Sequence, residues 1–202
     1  MQTIIKKINV YEFEELTQKA KNRAIEDVRD DEHRLGDWWS ESIIEDFVNE
    51  LTSEGWGLDP TDVHFSGFCS QGDGASFDAQ LDVYTWLKAN KFISKYPTVA
   101  KWAKEGQILG KTHTNHFSNH YCHENTRFFE LETDLFNKNT EKLDQEICKL
   151  EEHIELDRLT LCQKLYRELE TTYSYLMSEE AIVEEIKANG YTYLINKNPF
   201  NG

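Results

Sequence analysis

The chain has 202 residues, a net charge of −15 at pH 7 and 39% hydrophobic residues, with a mean hydropathy of −0.68. That length holds one domain, or one domain with an appendage, and enough apolar chain for a core. The charge argues against non-specific binding to nucleic acid, where phosphates must be neutralised by accessible Lys and Arg, and no apolar run approaches the roughly 20 residues of a membrane span.

The N-terminal run Met1 to Lys7 lacks the apolar stretch of a signal peptide. Residues 2–11 favour β-branched types and alternate weakly, which predicts a first strand. From Phe13 the pattern becomes helical, with Leu16, Ala20, Ala24 and Val28 four residues apart. Gly36 breaks that helix, and Asp37 is placed to cap a second one bearing Trp38, Trp39, Ile43, Ile44, Phe47, Val48 and Leu51. Gly55, Gly57 and Pro60 end it.

Phe65 to Asp78 is the most distinctive stretch. Three glycines, three serines, Gln71 and Asp73 lie between aromatic residues, and Gln71-Gly72-Asp73-Gly74 predicts a reversal between strands near 62–69 and 75–83. One or two short helices follow over 84–105, with Pro97 in a first turn. Ile108–His120 and Thr126–Thr133 read as a second hairpin. After Asn139, Leu143, Ile147, Leu150, Ile154, Leu161 and Leu165 form an apolar seam on a helix reaching Leu176, interrupted at Asp157 and Arg158. A further helix from Ser178 stops at Asn189-Gly190, and Tyr191 to Ile195 reads as a last strand.

The expected class is α+β: an antiparallel sheet built from hairpins, with packed N-terminal helices and a long C-terminal helical appendage. Residues 1–138 are expected to form the core domain and 139–202 the long helix, second helix and terminal strand. Such a seam must pack on the domain, on a partner helix or on a second copy, and homo-oligomerisation through the C-terminal helices is the expectation.

Charge is uneven. Between Tyr84 and Arg127, seven basic residues face only Glu105 and Glu124, a net +5 that leaves −20 for the remainder. This permits local binding of a small anion by a protein that repels polyanions. In the turn, Gln71 offers a donor and an acceptor, the pair needed to read a base edge or ribose, and Asp73 can accept from an amine or hydroxyl. The alternative for Asp73 is an Asx-turn onto its own amides. Trp38 and Trp39, or Trp86 and Trp102, are either stacking platforms or core.

His113, His116, His120 and His123 lie beside Cys122 and Glu124. Strand alternation separates them and no zinc spacing is reproduced, so neither a metal nor another cofactor is expected. Neither a nucleophile elbow nor a P-loop is present around Gly72-Asp73-Gly74. The four cysteines, Cys69, Cys122, Cys148 and Cys162, form no CxxC pair, which predicts reduced thiols in a cytoplasm.

Tyr11-Glu12-Phe13-x-Glu15-Leu16, Ala20-Lys21-x-x-Ala24-Ile25, Trp38-Trp39, Phe65-Ser66-Gly67-Phe68-x-Ser70-Gln71-Gly72-Asp73-Gly74-Ala75 and Tyr121-Cys122-His123-Glu124 together resemble a family of small proteins of tailed phages and prophages, whose members are labelled antitoxin-like or uncharacterised. The resemblance spans roughly residues 8–133 and implies a phage accessory protein in the host cytoplasm. With the turn and the local lysines it leads to an expected function: a non-catalytic protein that sequesters a small nucleotide-like immune signal to counter host defence. The expected ligand-binding residues are Ser70, Gln71, Gly72, Asp73, Gly74, Ser76, Lys88, Lys91, His116, His120, Tyr121 and His123. Gln71 and Asp73 would take base or ribose, Lys88 and Lys91 phosphate, and Tyr121 or a Trp would stack. The alternatives are an antitoxin-like or inhibitory protein-interaction module and a nucleotide hydrolase using Cys69, Asp73 or the histidines. No membrane and no polymeric nucleic acid are expected as partners.

Overall fold

The computed structural model describes residues 8–31, 34–36, 38–115, 121–133 and 141–194. The fold is α+β with antiparallel sheets, and the chain forms two compact units, residues 1–39 with 171–202 and residues 40–170.

In the first unit, a two-residue strand β1 (Tyr11–Glu12) pairs antiparallel with β8 (Thr192–Tyr193). The helix expected from Phe13 starts later. Phe13–Glu15 is a single 3-10 turn and α1 runs Gln18–Arg29, because Thr17 accepts the Ala20 amide and sets the N-terminus there. Phe13, Ala24, Ile25, Ile182, Ile186 and Tyr193 close its core, Ile182 and Ile186 coming from α6 (Glu179–Ala188). Ser178 caps α6, and Gly190, at φ +62°, follows its end. Asp37, the expected cap of the next helix, lies outside the described residues, as do residues 2–7 of the expected first strand and Ile195 of the last.

The second unit is built on four short sequence-local pieces that pair across the fold. Helix α2 (Trp38–Ser53) contributes Phe47, Val48 and Leu51 to the core of this unit. Strands β2 (Trp56–Gly57), β5 (Gln80–Leu81), β6 (Ile108–Thr114) and β7 (Arg127–Thr133) form one antiparallel sheet in that order. Strands β3 (Val63–Ser66) and β4 (Gly74–Phe77) form a separate hairpin. The single strand expected over 75–83 is therefore split. At the corner, the Asp78 amide donates to the Asp62 carbonyl at 2.9 Å and Ala79 exchanges backbone and side-chain bonds with Thr112, which turns the chain out of one sheet into the other.

Register assigns the faces of the four-stranded sheet. Trp56 pairs with Leu81, Leu81 with Gly110 and Gly110 with Leu131, giving the inner row. Gly57, Gln80, Lys111 and Glu130 form the adjacent outer row. A Cβ at Gly110 would stand 2.4 Å from the Phe129 ring, so the inner row closes only around glycine there. Helices α3 (Val83–Ala89) and α4 (Pro97–Lys104) pack against β6, α3 capped by Asp82 and α4 opened by Pro97.

The long C-terminal helix is α5 (Glu141–Leu176), and its residues 141–170 share one compact unit with the sheet. Leu143, Leu150, Ile154, Leu161, Leu165 and Leu169 are buried within the chain, so the seam does not call for a second copy. Its polar interruption is a docking device. The edge strand β7 has outward backbone groups, and α5 meets them: Phe129 N donates to Glu155 at 3.1 Å, Leu131 N to Glu151 at 2.8 Å, and Arg158 donates to the Arg127 carbonyl at 2.9 Å. Glu146 caps the first turn of α4 through Thr98 and Val99, and Asp157 accepts from the Trp86 indole at 3.0 Å. Among the described residues, no helix is long and apolar enough to cross a membrane.

Candidate functional site

The glycine-rich loop is held by its own aspartate. Asp73 Oδ2 accepts the amides of Cys69 at 2.9 Å and Ser70 at 2.6 Å, and the Asp73 amide donates to the Ser70 carbonyl at 3.2 Å. A loop leaving β3 through Gly67 (φ +42°) and returning through Gly72 (φ +98°) points amides inward, and the carboxylate is the acceptor they find. A Cβ on Gly67 would lie 2.4 Å from that carboxylate. Of the two readings of Asp73, the turn-stabilising one describes these bonds.

The loop also lies against the segment before β7. A Cβ at Gly72 would meet the Tyr121 ring at 3.0 Å, and one at Gly74 would meet the His123 backbone at 2.8 Å. Ser70, Gln71, Gly72, Asp73, Gly74, Tyr121 and His123 are thus brought together. Ser70, Gln71 and Tyr121 are exposed, whereas Ser76 is fully buried and its Oγ has no hydrogen-bond partner among the described residues. His123 Nδ1 accepts the Asn125 amide and caps the turn at Glu124–Thr126. Lys88 and Lys91 are exposed on and just after α3, not in this loop cluster. His116 and His120 lie outside the described residues. His113 stacks on Phe128, and the described residues contain no group of three or more side chains arranged to hold a metal ion.

Two hollows open on the outer face of the four-stranded sheet. One, of about 540 Å³, includes Gly55, Gly57, Gln80, Lys104, Gly106 and Lys111 in its lining. The other, of about 330 Å³, is lined by Asp62, Asp78 and Thr112 and again by Gly57, Gln80 and Lys111. These volumes fall within the roughly 300–1,000 Å³ of small-molecule sites.

Three carboxylates around the hollows, Asp62, Asp78 and Asp82, already have hydrogen-bond partners. Asp82 caps α3 through Thr85 and Asp62 accepts the Asp59 amide, whereas Glu130 and Glu132 are exposed and lie 3.7 Å from His113, beyond hydrogen-bond reach. Asp78 accepts a two-pronged contact from Arg127 at 2.7 and 3.2 Å and sits 3.0 Å from His64 Nε2. Burial pushes the Asp78 carboxyl up, but the hydrogen bonds from Arg127 and His64 and their charge outweigh it and hold it below the ordinary carboxylate range. Lys111 forms no ion pair among the described residues, and Lys104 rests over the Tyr84 ring. The donors open to a ligand are therefore the two ammonium groups, the Gln80 amide and glycine backbone, and carboxylate lone pairs remain as acceptors.

The Asp78 shift has a pH consequence. Its stabilising contribution is present above the unfolded pKa of about 3.9 and is lost as pH falls through the lower folded value. The urea midpoint of the wild type should exceed that of Asp78→Asn at pH 5, and the gap should narrow steadily toward pH 2. A constant gap would show that the Arg127 contact does not depend on the charge.

Sequence reasoning did not single out Gln80, Lys104 or Lys111 as site residues. Their only local signals are the glycines at 55, 57, 106 and 110 and the net-positive segment, and neither says that Gly57, Gln80 and Lys111 stand in one row.

A protein-family model described as "Domain of unknown function (DUF8835)" matches residues 39–179, a span close to that of the second compact unit. No curated protein and no solved structure matches the chain.

Proposed function

We propose that the chain, which belongs to this family of unknown function, is a non-catalytic binding protein that holds a small nucleotide-like anion against the outer face of its sheet. The observation that carries the reading is the division of labour among the lining charges. Asp62, Asp78 and Asp82 are engaged by protein hydrogen bonds, while among the described residues Lys111 has no ion-pair partner and Lys104 rests over the Tyr84 ring. Cations in a concave, glycine-lined site attract a small phosphate even in a protein of net charge −15. The exposed Leu109 beside them offers apolar surface for a base. Sequestration of a nucleotide signal that activates host defence is the role consistent with this chemistry and with the phage-protein resemblance.

Isothermal titration against cyclic dinucleotides, cyclic ADP-ribose isomers and linear nucleotides tests the reading. Lys111→Glu should weaken binding by about tenfold to a hundredfold, the loss of one charge-assisted contact, with Lys88→Glu as a control that leaves it unchanged. Absence of heat for every probe with the folded wild type rejects the proposal. A bound ligand released by heat should be recovered intact, and conversion during incubation would favour the hydrolase reading instead. The −20 carried outside the basic segment supports a second reading, an antitoxin-like cover for a basic protein. A partner released by salt in a pull-down would favour it.

A further inference from the structure

The geometry points to a two-ended ligand: a phosphodiester or pyrophosphate joining two nucleosides, its bridging phosphate over the Gly57–Gln80–Lys111 row and one end in each hollow. This rests on the outer face of the sheet being the binding site, as proposed above, and adds the class of ligand.

Three observations carry it. First, the hollows are not independent, because both are lined by Gly57, Gln80 and Lys111. Those three residues are consecutive cross-strand partners on β2, β5 and β6, so they form one transverse row with a hollow on either side along the strand direction. Gly57 brings no side chain to the row, which leaves its end open.

Second, the row itself offers what a bridging phosphate needs. Lys111 supplies a cation without an ion-pair partner among the described residues and Gln80 supplies an exposed amide, while Glu130, directly across from Lys111, lies 3.7 Å from His113. A phosphate only accepts hydrogen bonds, and the Lys111 ammonium and the Gln80 amide are donors it can use.

Third, the two hollows differ in a way that fits two different ends. The larger contains Lys104 and the exposed Leu109, with Asp82 and Glu132 also in its lining, and its apolar surface suits a base face. The smaller contains the Asp62 and Asp78 carboxylates and Thr112. Those carboxylates repel a terminal phosphate but have lone pairs left for sugar hydroxyls or a base amine. A mononucleotide therefore fills one hollow, and extending it with a second phosphate is unfavourable toward the other. Extending it with a second nucleoside is not.

The test compares ADP with diadenosine diphosphate, and GDP with diguanosine diphosphate, by calorimetric titration of the full chain. Each pair shares its pyrophosphate and base, and the dinucleotide carries less negative charge, so charge alone would favour the mononucleotide. The expected result is at least about tenfold tighter binding of the dinucleotide in one pair, with both affinity and preference lost in Lys111→Glu. Equal or tighter binding of the mononucleotide overturns the two-ended ligand and leaves the anion site standing. A dinucleotide preference that survives Lys111→Glu places its origin elsewhere and also overturns it. Failure of all four probes overturns the two-ended ligand, and the proposed function falls with it only if the wider nucleotide panel also gives no heat.

Discussion

Replacing Arg158 with methionine should lower the free energy of unfolding by about 3–5 kcal/mol, the range for breaking a buried ion pair by removing one partner. Arg158 is fully buried. Its guanidinium makes a fork with Glu155 at 2.6 and 2.7 Å and donates to the carbonyls of Glu124 at 3.0 Å and Arg127 at 2.9 Å. Methionine fills similar volume but leaves two carbonyls and a carboxylate without their donor, and a buried acceptor stripped of its partner costs its full desolvation. Glu155 also accepts the Phe129 amide, so the damage reaches the β7 edge. Arg158→Lys should recover only part of the loss, because one ammonium cannot reproduce a planar fork toward three acceptors. Urea unfolding of the three proteins checks the order, wild type above lysine above methionine. A methionine variant as stable as the wild type would mean that α5 docks through its leucines alone. The neighbouring Cys162 gives a second readout: burial pushes its thiol up to about 12, against the opposing charge of Arg158, so it should resist alkylation until the helix detaches.

Trp56→Ala is the second large effect, again about 3–5 kcal/mol, as for other buried Trp and Phe truncations. Trp56 is completely buried, edge-on to Phe77 at 5.4 Å and to Phe129 at 5.8 Å. It joins the hairpin β3–β4 to the four-stranded sheet, since Phe77 belongs to the first and Phe129 to the second. Trp56→Phe should cost much less. The indole Nε1 has no hydrogen-bond partner among the described residues, so the smaller ring loses volume but removes a buried donor that contributes nothing. Function should follow, because Gly57 is the next residue and its place in the outer row depends on its neighbour being anchored below. The alanine variant should therefore lose dinucleotide affinity as well as stability, while the phenylalanine variant keeps most of both. Calorimetric titration beside urea unfolding separates them, and unchanged affinity in a destabilised Trp56→Ala would detach the groove from the core that underlies it.

Local signals in the chain were sufficient to define most elements. Caps and stops act within one turn, so Pro97, Ser178 and Asn189-Gly190 mark helix ends that the structure has. Alternation within a strand is equally local, and Phe129 and Leu131 are buried between exposed Phe128, Glu130 and Glu132 as their spacing requires. Net charge and its concentration outside the 84–127 segment are properties of composition alone.

Tertiary structure decided everything that depends on which segment meets which. Asp78 and Ala79 look like the middle of one strand, and only their bonds to Asp62 and Thr112 make them a corner between two sheets. Asp157 and Arg158 look like a fault in an apolar seam, until Trp86 and the carbonyls before and within β7 are set opposite them. The outer row of Gly57, Gln80 and Lys111 is assembled from three segments distant in sequence, and a shift of one residue in any register would send its side chain to the other face. Spacing along a chain encodes which way a residue points relative to its neighbours, while a binding surface is made by pairing between strands, and that pairing is fixed only when the core beneath it closes.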